Sequence, residues 1–159
     1  MYIYEIFGQV FIEIEGDIIN ILLLSHGYLA KELYETANLI VGETSMLKYI
    51  SLPAGANLVE YEQKVYREIN SKKNNLLILL DLFGGTPFMT VSKVLGKMEN
   101  WNNIEVITGV NLPMLLEVLN LASNNEKLEN LKNVAIQMGN TGIVDVKNEL
   151  KKRIEEDDE

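Results

Sequence analysis

His26 is the residue of the chain best suited to carry chemistry, because it follows a run of apolar residues and is the only histidine. Imidazole suits nucleophilic and acid–base work near neutral pH. Asp81 ends a second apolar run, and its carboxylate could accept one imidazole proton and so fix the tautomer of the ring. Two plainer interpretations stay open at this point: an ordinary polar histidine, and an aspartate that caps a turn or a helix.

A glycine turn follows Asp81 and could bind an anion. Gly84 and Gly85 suit unusual backbone angles. Thr86 can cap a helix, and Pro87 favours the first helical position. Free N–H groups at such a helix start form an anion cradle, to which the Thr86 hydroxyl could add a hydrogen bond. The chain has neither a P-loop nor a dinucleotide-binding glycine pattern, so nucleotide binding is unsupported.

A third polar position is Asn111, which stands two residues before Pro113. Either this pair only starts a helix, or the Asn111 side chain also lines the site. The chain has one histidine and no cysteine, whereas zinc sites need three or four nitrogen or sulfur ligands, so we expect no metal site. A histidine that faces an anion cradle suits a phosphoryl group held on imidazole.

The elements that must position these residues follow from an alternation of short apolar runs with stretches of helical period. The predicted strands are 18–24, 46–52, 76–80 and 104–108, and the predicted helices lie near 29–40, 58–69, 86–98, 112–119 and 128–138. This pattern predicts an α/β fold, doubly wound, with a mainly parallel sheet and helices on both faces. Ligands of such folds bind beyond the carboxyl ends of the strands. The candidate site segments are therefore the three that follow predicted strands, 25–27, 81–86 and 108–111.

The two ends of the chain give weaker patterns. Residues 11–15 alternate apolar and acidic side chains, which suits an exposed edge strand. Residues 142–146 could form a short strand or begin a helix that runs to Arg153, and we favour a strand. The expected organisation is an extension or edge strand over 1–17, a single domain over 18–150 and an acidic tail over 151–159.

The composition is that of a globular protein. The chain has 159 residues, 47% hydrophobic and 23% charged, which is enough for one sizeable core. Its 14 basic and 23 acidic residues give a formal charge of −9, which argues against nucleic acid or an anionic membrane as a partner. The absence of cysteine fits a reducing compartment, and neither a secretory signal nor an apolar run of about 20 residues is evident. We therefore expect a cytoplasmic protein.

Three segments of the chain together resemble the IIA component of the mannose, fructose and sorbose family of sugar phosphotransferase systems. They are Leu-Leu-Ser-His-Gly over 23–27, Leu-Asp-Leu-Phe-Gly-Gly-Thr-Pro-Phe over 80–88 and Thr-Gly-Val-Asn-Leu-Pro-Met-Leu over 108–115. Their order and spacing are similar to those of the family, and the likeness covers roughly 18–147. It implies that 18–150 is a phosphotransferase IIA domain.

The resemblance implies a phosphocarrier of the phosphoenolpyruvate-dependent phosphotransferase system. His26 is implied to accept a phosphoryl group from the carrier protein HPr and to pass it to a IIB component during sugar uptake. Asp81 is implied to pair with the imidazole of this phosphohistidine. Gly84, Gly85 and Thr86, with the helix start, are implied to contact the phosphoryl oxygens. The implied transfer uses no metal, nucleotide or other cofactor, and depends on positioning and hydrogen bonds.

The resemblance also implies a homodimer that exchanges a strand near the carboxyl end, which adds antiparallel to the edge of the sheet and would account for 142–146. It further implies peripheral attachment to the membrane through a IIC and IID permease. Two features depart from the family pattern. Met89 stands where the family commonly has asparagine, and about seventeen residues precede the first core strand, whereas the family usually begins at that strand. Neither departure removes His26, Asp81 or the glycine turn.

Three other functions stay open. In a receiver-like domain Asp81 would itself be phosphorylated, but such domains need an acidic cluster after the first strand, where this chain has Ser25 and His26. A regulatory or assembly domain of the same fold would leave His26 inert. A phosphotransfer subunit of a dihydroxyacetone kinase shares the general plan, although the segments 84–88 and 109–114 favour the sugar system.

Overall fold

The computed structural model describes residues 2–6, 9–13, 19–71, 75–124 and 126–157. The strands are β1 (Tyr2–Ile6), β2 (Gln9–Glu13), β3 (Ile19–His26), β4 (Leu47–Leu52), β5 (Asn75–Leu80) and β6 (Ile104–Thr108). The helices are α1 (Leu29–Val41), α2 (Leu58–Asn70), α3 (Thr86–Leu95), α4 (Leu112–Ala122), α5 (Leu128–Thr141) and α6 (Val146–Asp157). No helix within these ranges is long and apolar enough to cross a membrane.

Four parallel strands form the main sheet, in the order β4-β3-β5-β6. The nearly continuous apolar sequences of β3 and β5 account for their central positions, because central strands of a parallel sheet are buried on both faces. The chain leaves β3 for β4 on one side and then crosses to β5 on the other. Leu24 of β3 pairs with Leu80 of β5, so the two strands end side by side at this reversal of strand order.

Helices cover both faces of the sheet, and each face has its own apolar core. Alternate side chains of β3 point to opposite faces: Leu23 packs with residues of α1, α4 and α5, whereas Leu24 packs with residues of α2 and α3. The predicted α/β fold, with a parallel sheet and helices on both faces, is confirmed. The strands and helices predicted from 18 to 138 are all present, with bounds shifted by a few residues.

The antiparallel edge strand predicted over 142–146 is wrong for the single chain. Residues 143–145 lie outside every helix and strand, and α6 begins at Val146. The β-branched residues of this segment suit a strand, but a strand also needs backbone partners, and no strand of the described residues pairs with it. The helix continues through Asp157, so most of the range predicted as an acidic tail is helical.

The edge strand predicted near the amino end is not an edge of the main sheet. β2 pairs antiparallel with β1, with Phe11 opposite Tyr4, and the two form a separate two-stranded sheet. Segments close in sequence thus satisfy each other's backbone hydrogen bonds. Residues 14 and 15, which were part of the predicted strand, lie outside the described residues.

Candidate active site

His26 and Asp81 meet at the carboxyl edge of the sheet. His26 is the last residue of β3, and Asp81 directly follows β5, with its N–H donating to the Leu24 carbonyl at 3.3 Å. Oδ2 of Asp81 accepts the backbone N–H of His26 at 2.9 Å and lies 2.8 Å from ring Nδ1. The structure thus brings together the two side chains that the sequence singles out.

This pairing determines which ring nitrogen of His26 is free to react. A carboxylate only accepts hydrogen bonds, so Nδ1 carries the proton and donates it to Asp81. Nε2 then presents a lone pair, and the backbone N–H of Thr86 donates to it at 3.3 Å. The side chain of His26 is 42% exposed, whereas that of Asp81 is 13% exposed. A nucleophilic nitrogen is therefore accessible beside a largely buried carboxylate that fixes its tautomer.

The glycine turn brings the start of α3 against the imidazole ring. Gly84 has a φ of 76°, Gly85 is the N-cap of α3, and Pro87 stands in the first turn. A Cβ at position 85 would lie 3.1 Å from Nε2 of His26 and would collide with the adjacent ring carbon Cε1. Only glycine allows so close an approach. The first N–H groups of a helix lack intrahelical acceptors and carry the positive end of its dipole, so they suit an anion on Nε2.

Tyr61 of α2 is a further residue on which the charge of Asp81 acts. The residue is 4% exposed. Burial raises the pKa of the Tyr61 hydroxyl, and the negative charge of Asp81 raises it further. Helical spacing gives no signal for this relationship, because it predicts which face of a helix is buried and not what a hydroxyl on that face meets.

Two other expectations for the site concern Asn111 and metal binding. The Asn111 side-chain oxygen accepts the Met114 N–H at 3.0 Å, and its nitrogen donates to the Gly139 carbonyl at 2.9 Å. The amide therefore caps α4, as the helix-start interpretation predicts, and ties α4 to α5. A site-lining role of Asn111 stays a prediction. Among the residues that the structure describes, no three His, Cys, Asp or Glu side chains are grouped so as to hold a metal ion.

Exposed apolar side chains adjoin the site residues in the chain. We name four of them the apolar rim: Tyr28, Leu82, Phe83 and Met89. Phe83 is 74% exposed, and its ring centroid lies 4.6 Å from that of Phe88. Apolar surface beside a reactive group is typical of a site where another protein docks. Of the four, only Met89 has a signal in the sequence, as a departure from the family pattern.

Comparison with known protein families settles the classification. A family model described as EIIA-man, PTS system fructose IIA component, matches residues 20–136. The chain belongs to the EIIA-man family. The resemblance drawn from the three sequence segments is thereby confirmed.

Individual relatives of this EIIA-man chain cover most of its length. The mannose-specific EIIAB component of Escherichia coli (strain K12) is 31% identical over 128 residues, which make up 79% of the chain but only 38% of that relative. The fructose-specific EIIA component of Bacillus subtilis is 28% identical over 124 residues, or 75% of the chain and 83% of that protein. The crystal structure of phosphotransferase component EIIA from Streptococcus agalactiae matches with a TM-score of 0.74 and 29% identity, covering 82% of the chain and 98% of that structure.

Proposed function

We propose that this EIIA-man chain is a phosphocarrier of the phosphoenolpyruvate-dependent sugar phosphotransferase system and acts in the cytoplasm. Nε2 of His26 accepts a phosphoryl group from phospho-HPr and passes it to a IIB component during sugar uptake. One observation carries the proposal: Asp81 holds Nδ1 at 2.8 Å while Nε2 faces the start of α3. Family membership supports it, since the relatives are named as components of this system.

The proposed phosphoryl transfer to His26 exchanges one phosphorus–nitrogen bond for another. The Nε2 lone pair forms a bond to phosphorus while the phosphorus–nitrogen bond of the donor phosphohistidine breaks. The donor ring keeps the proton on its other nitrogen and leaves as neutral imidazole. The His26 ring keeps its proton on Nδ1 and becomes positively charged, and the adjacent Asp81 carboxylate stabilises that charge. Transfer to the IIB component repeats the step with His26 as the leaving group.

The transferred phosphoryl group would lie at the N-terminus of α3. The Thr86 N–H is 3.3 Å from Nε2, and Gly85 adds no side chain between the ring and the helix. We propose Gly84, Gly85 and Thr86 as phosphate-binding residues that act through backbone N–H groups. A helix start of this kind binds a phosphoryl group without a basic side chain.

Phosphorylation of Asp81 itself, as in a receiver-like domain, has less support. Oδ2 of Asp81 is engaged by both the backbone and the ring of His26, and Oδ1 is buried. A phosphoryl group on either oxygen would have to displace these contacts. The sugar-system names of the relatives also favour the proposal over a dihydroxyacetone kinase subunit. A regulatory domain that transfers nothing is the remaining alternative.

We propose that HPr and the IIB component dock in turn on the apolar rim. Its four residues stand close in the chain to Asp81, the glycine turn and the end of β3, so a partner that covers them would reach Nε2 of His26. Burial of this exposed apolar surface would supply binding free energy. The IIB component would then link the chain indirectly to the IIC and IID permease in the membrane.

We further propose a homodimer that forms through the carboxyl-terminal region. Five apolar side chains are exposed there: Ile143, Val144, Val146, Leu150 and Ile154. The last three follow one another at four-residue spacing on α6, which places them on one face of the helix. Burial of this stripe against a second copy of the chain would stabilise a symmetric dimer.

The phosphocarrier proposal is tested by intact-mass analysis after incubation with phosphoenolpyruvate, enzyme I and HPr, beside a His26→Ala variant. We expect one acid-labile, base-stable phosphoryl group on the wild type and none on the variant. A base-labile group that persists in His26→Ala would indicate an acyl phosphate on Asp81 instead. A folded wild-type chain that stays unmodified, with HPr proven active on another acceptor, would contradict the proposal and favour the regulatory domain.

A further inference from the structure

Two buried oxygen atoms near the site have no part in the transfer described above. They are Oδ1 of Asp81 and the hydroxyl oxygen of Tyr61, and within the described residues neither has a hydrogen-bond partner. Tyr61 packs in the core layer that contains Leu24, Leu52 and Leu80. Tyr61 stands near the start of α2, and α2 follows the carboxyl end of β4, so this part of the layer lies under the carboxyl edge of the sheet.

The two oxygens are chemically complementary. A phenol has one proton to donate, and a carboxylate oxygen only accepts. A buried polar atom without a partner lowers the stability of the folded state, so such atoms in native proteins are nearly always bonded. The charge of Asp81 also acts on Tyr61, because it adds to burial in raising the pKa of the hydroxyl and so keeps the phenol protonated as a donor.

We propose that Tyr61 is a positioning residue for His26 that acts through Asp81. Its hydroxyl donates to Oδ1 of Asp81, after a small side-chain rotation or across one water molecule. The carboxylate is then held by both oxygens, and Oδ2 stays aligned on Nδ1 and on the backbone N–H of His26. The inference rests on the proposed phosphoryl transfer for its effect on rate, but the orientation of the ring can be measured without any transfer.

The test compares the wild type with Tyr61→Phe, which removes only the hydroxyl. Tyr66→Phe is the matched control, because Tyr66 lies on the same helix and is 48% exposed. His26 is the only histidine, so isotopic nitrogen labelling of histidine gives one pair of ring signals that need no assignment. In the neutral ring, the two chemical shifts report the share of the tautomer protonated on Nδ1.

We expect the Nδ1-protonated share to fall in Tyr61→Phe and to stay unchanged in Tyr66→Phe. The rate of phosphoryl transfer to His26 should fall about fivefold in Tyr61→Phe alone, the effect of one lost hydrogen bond. The free energy of unfolding should fall as well, because Oδ1 of Asp81 loses its donor. Removal of a hydroxyl that has no partner would instead leave stability unchanged or raise it.

The possible failures are distinguishable. An unchanged tautomer share and transfer rate in a folded Tyr61→Phe variant would overturn the inference and leave the phosphocarrier proposal standing. If the wild type accepts no phosphoryl group, the proposed function fails, and the tautomer measurement still decides whether Tyr61 orients His26. A tautomer change of equal size in Tyr66→Phe would also overturn the inference, because an exposed residue cannot act through Oδ1 of Asp81.

Discussion

Oδ2 of Asp81 lies within hydrogen-bonding distance of two nitrogens of His26, the backbone N at 2.9 Å and ring Nδ1 at 2.8 Å. The bond from the backbone N–H fixes the position of the carboxylate at the end of β3. The bond from Nδ1 then orients the imidazole ring relative to that carboxylate. Two neighbouring strands therefore set the orientation of the ring, which no longer depends on the rotamer preference of His26 alone.

We expect the rate of phosphoryl transfer to depend on the negative charge of Asp81 more than on the shape of its side chain. In Asp81→Asn the amide can still accept one hydrogen bond, but it cannot stabilise the positive ring that the proposed phosphoryl transfer creates. A hydrogen bond to a charged group is worth about 1.5–3 kcal/mol, so transfer from phospho-HPr should slow about 10- to 100-fold in single-turnover measurements. Asp145→Asn, at the start of α6, is the control and should transfer at the wild-type rate. A folded Asp81→Asn variant with an unchanged rate would rule out this role.

The close approach of Gly85 to His26 predicts that a single added methyl group disables the site. In Gly85→Ala the new Cβ would collide with the imidazole and displace it from the N-terminus of α3. A displacement of about 1 Å can slow a positioned reaction about 100-fold, so we expect a loss of this order in the same transfer assay. Gly96→Ala, at the other end of α3 with a φ of −64°, should keep the wild-type rate. Near-normal transfer by Gly85→Ala would contradict the packing argument.

The pKa of Tyr61 predicts a dependence of stability on alkaline pH. Burial and the charge of Asp81 raise this pKa above its ordinary value of 10.0. The folded chain keeps a proton that the unfolded chain releases, so the stabilisation is complete below the unfolded pKa and is lost as the pH rises toward the folded pKa. Denaturant titrations from about pH 9 to 11 should show a steeper fall in the free energy of unfolding for the wild type than for Tyr61→Phe. Tyr66→Phe should retain the wild-type slope, and equal slopes for all three proteins would refute the prediction.

The exposed stripe at the carboxyl end predicts a dimer that one substitution weakens. Burial of an isoleucine side chain is worth about 1.5–3 kcal/mol, and a symmetric interface buries two, so Ile154→Asp should raise the dissociation constant about 100-fold or more. Sedimentation velocity at micromolar concentration would measure the shift to monomer. Lys147→Asp is the control, because it changes the charge more but removes no apolar side chain. A wild type that is only monomeric at this concentration would exclude the proposed dimer.

The strands of the sheet and the proximity of His26 to Asp81 could be predicted from the sequence, because strands buried in a parallel sheet have uninterrupted apolar sequences. Where such a run stops at a polar residue, the strand reaches the edge of the sheet, as at Ser25 and at Asp81. Parallel strands have their carboxyl ends at one edge of the sheet whatever their order, and the sequence alone predicts no order. These local rules place the two side chains at one edge without any knowledge of side-chain geometry.

Other features depend on contacts between segments far apart in sequence. Tyr61 has the helical spacing of an ordinary core residue. Its hydroxyl comes under the influence of the Asp81 charge only because α2 packs on the sheet. The segment before α6 has apolar residues that suit a strand, but strand formation depends on a partner that the segment itself does not specify. Periodicity describes what one element can bury, and it leaves open which other element covers it.

The ring of His26 is confined on two sides, by the carboxylate of Asp81 at Nδ1 and by Gly85 at Cε1. A ring confined in this way cannot swing between two partners, so each partner has to bring its own reactive group to the same nitrogen. In the proposed relay phospho-HPr and the IIB component therefore compete for one face, and the first must dissociate before the second binds. The kinetics should be of the ping-pong type, in which an excess of unphosphorylated HPr slows delivery to the IIB component by occupying its place.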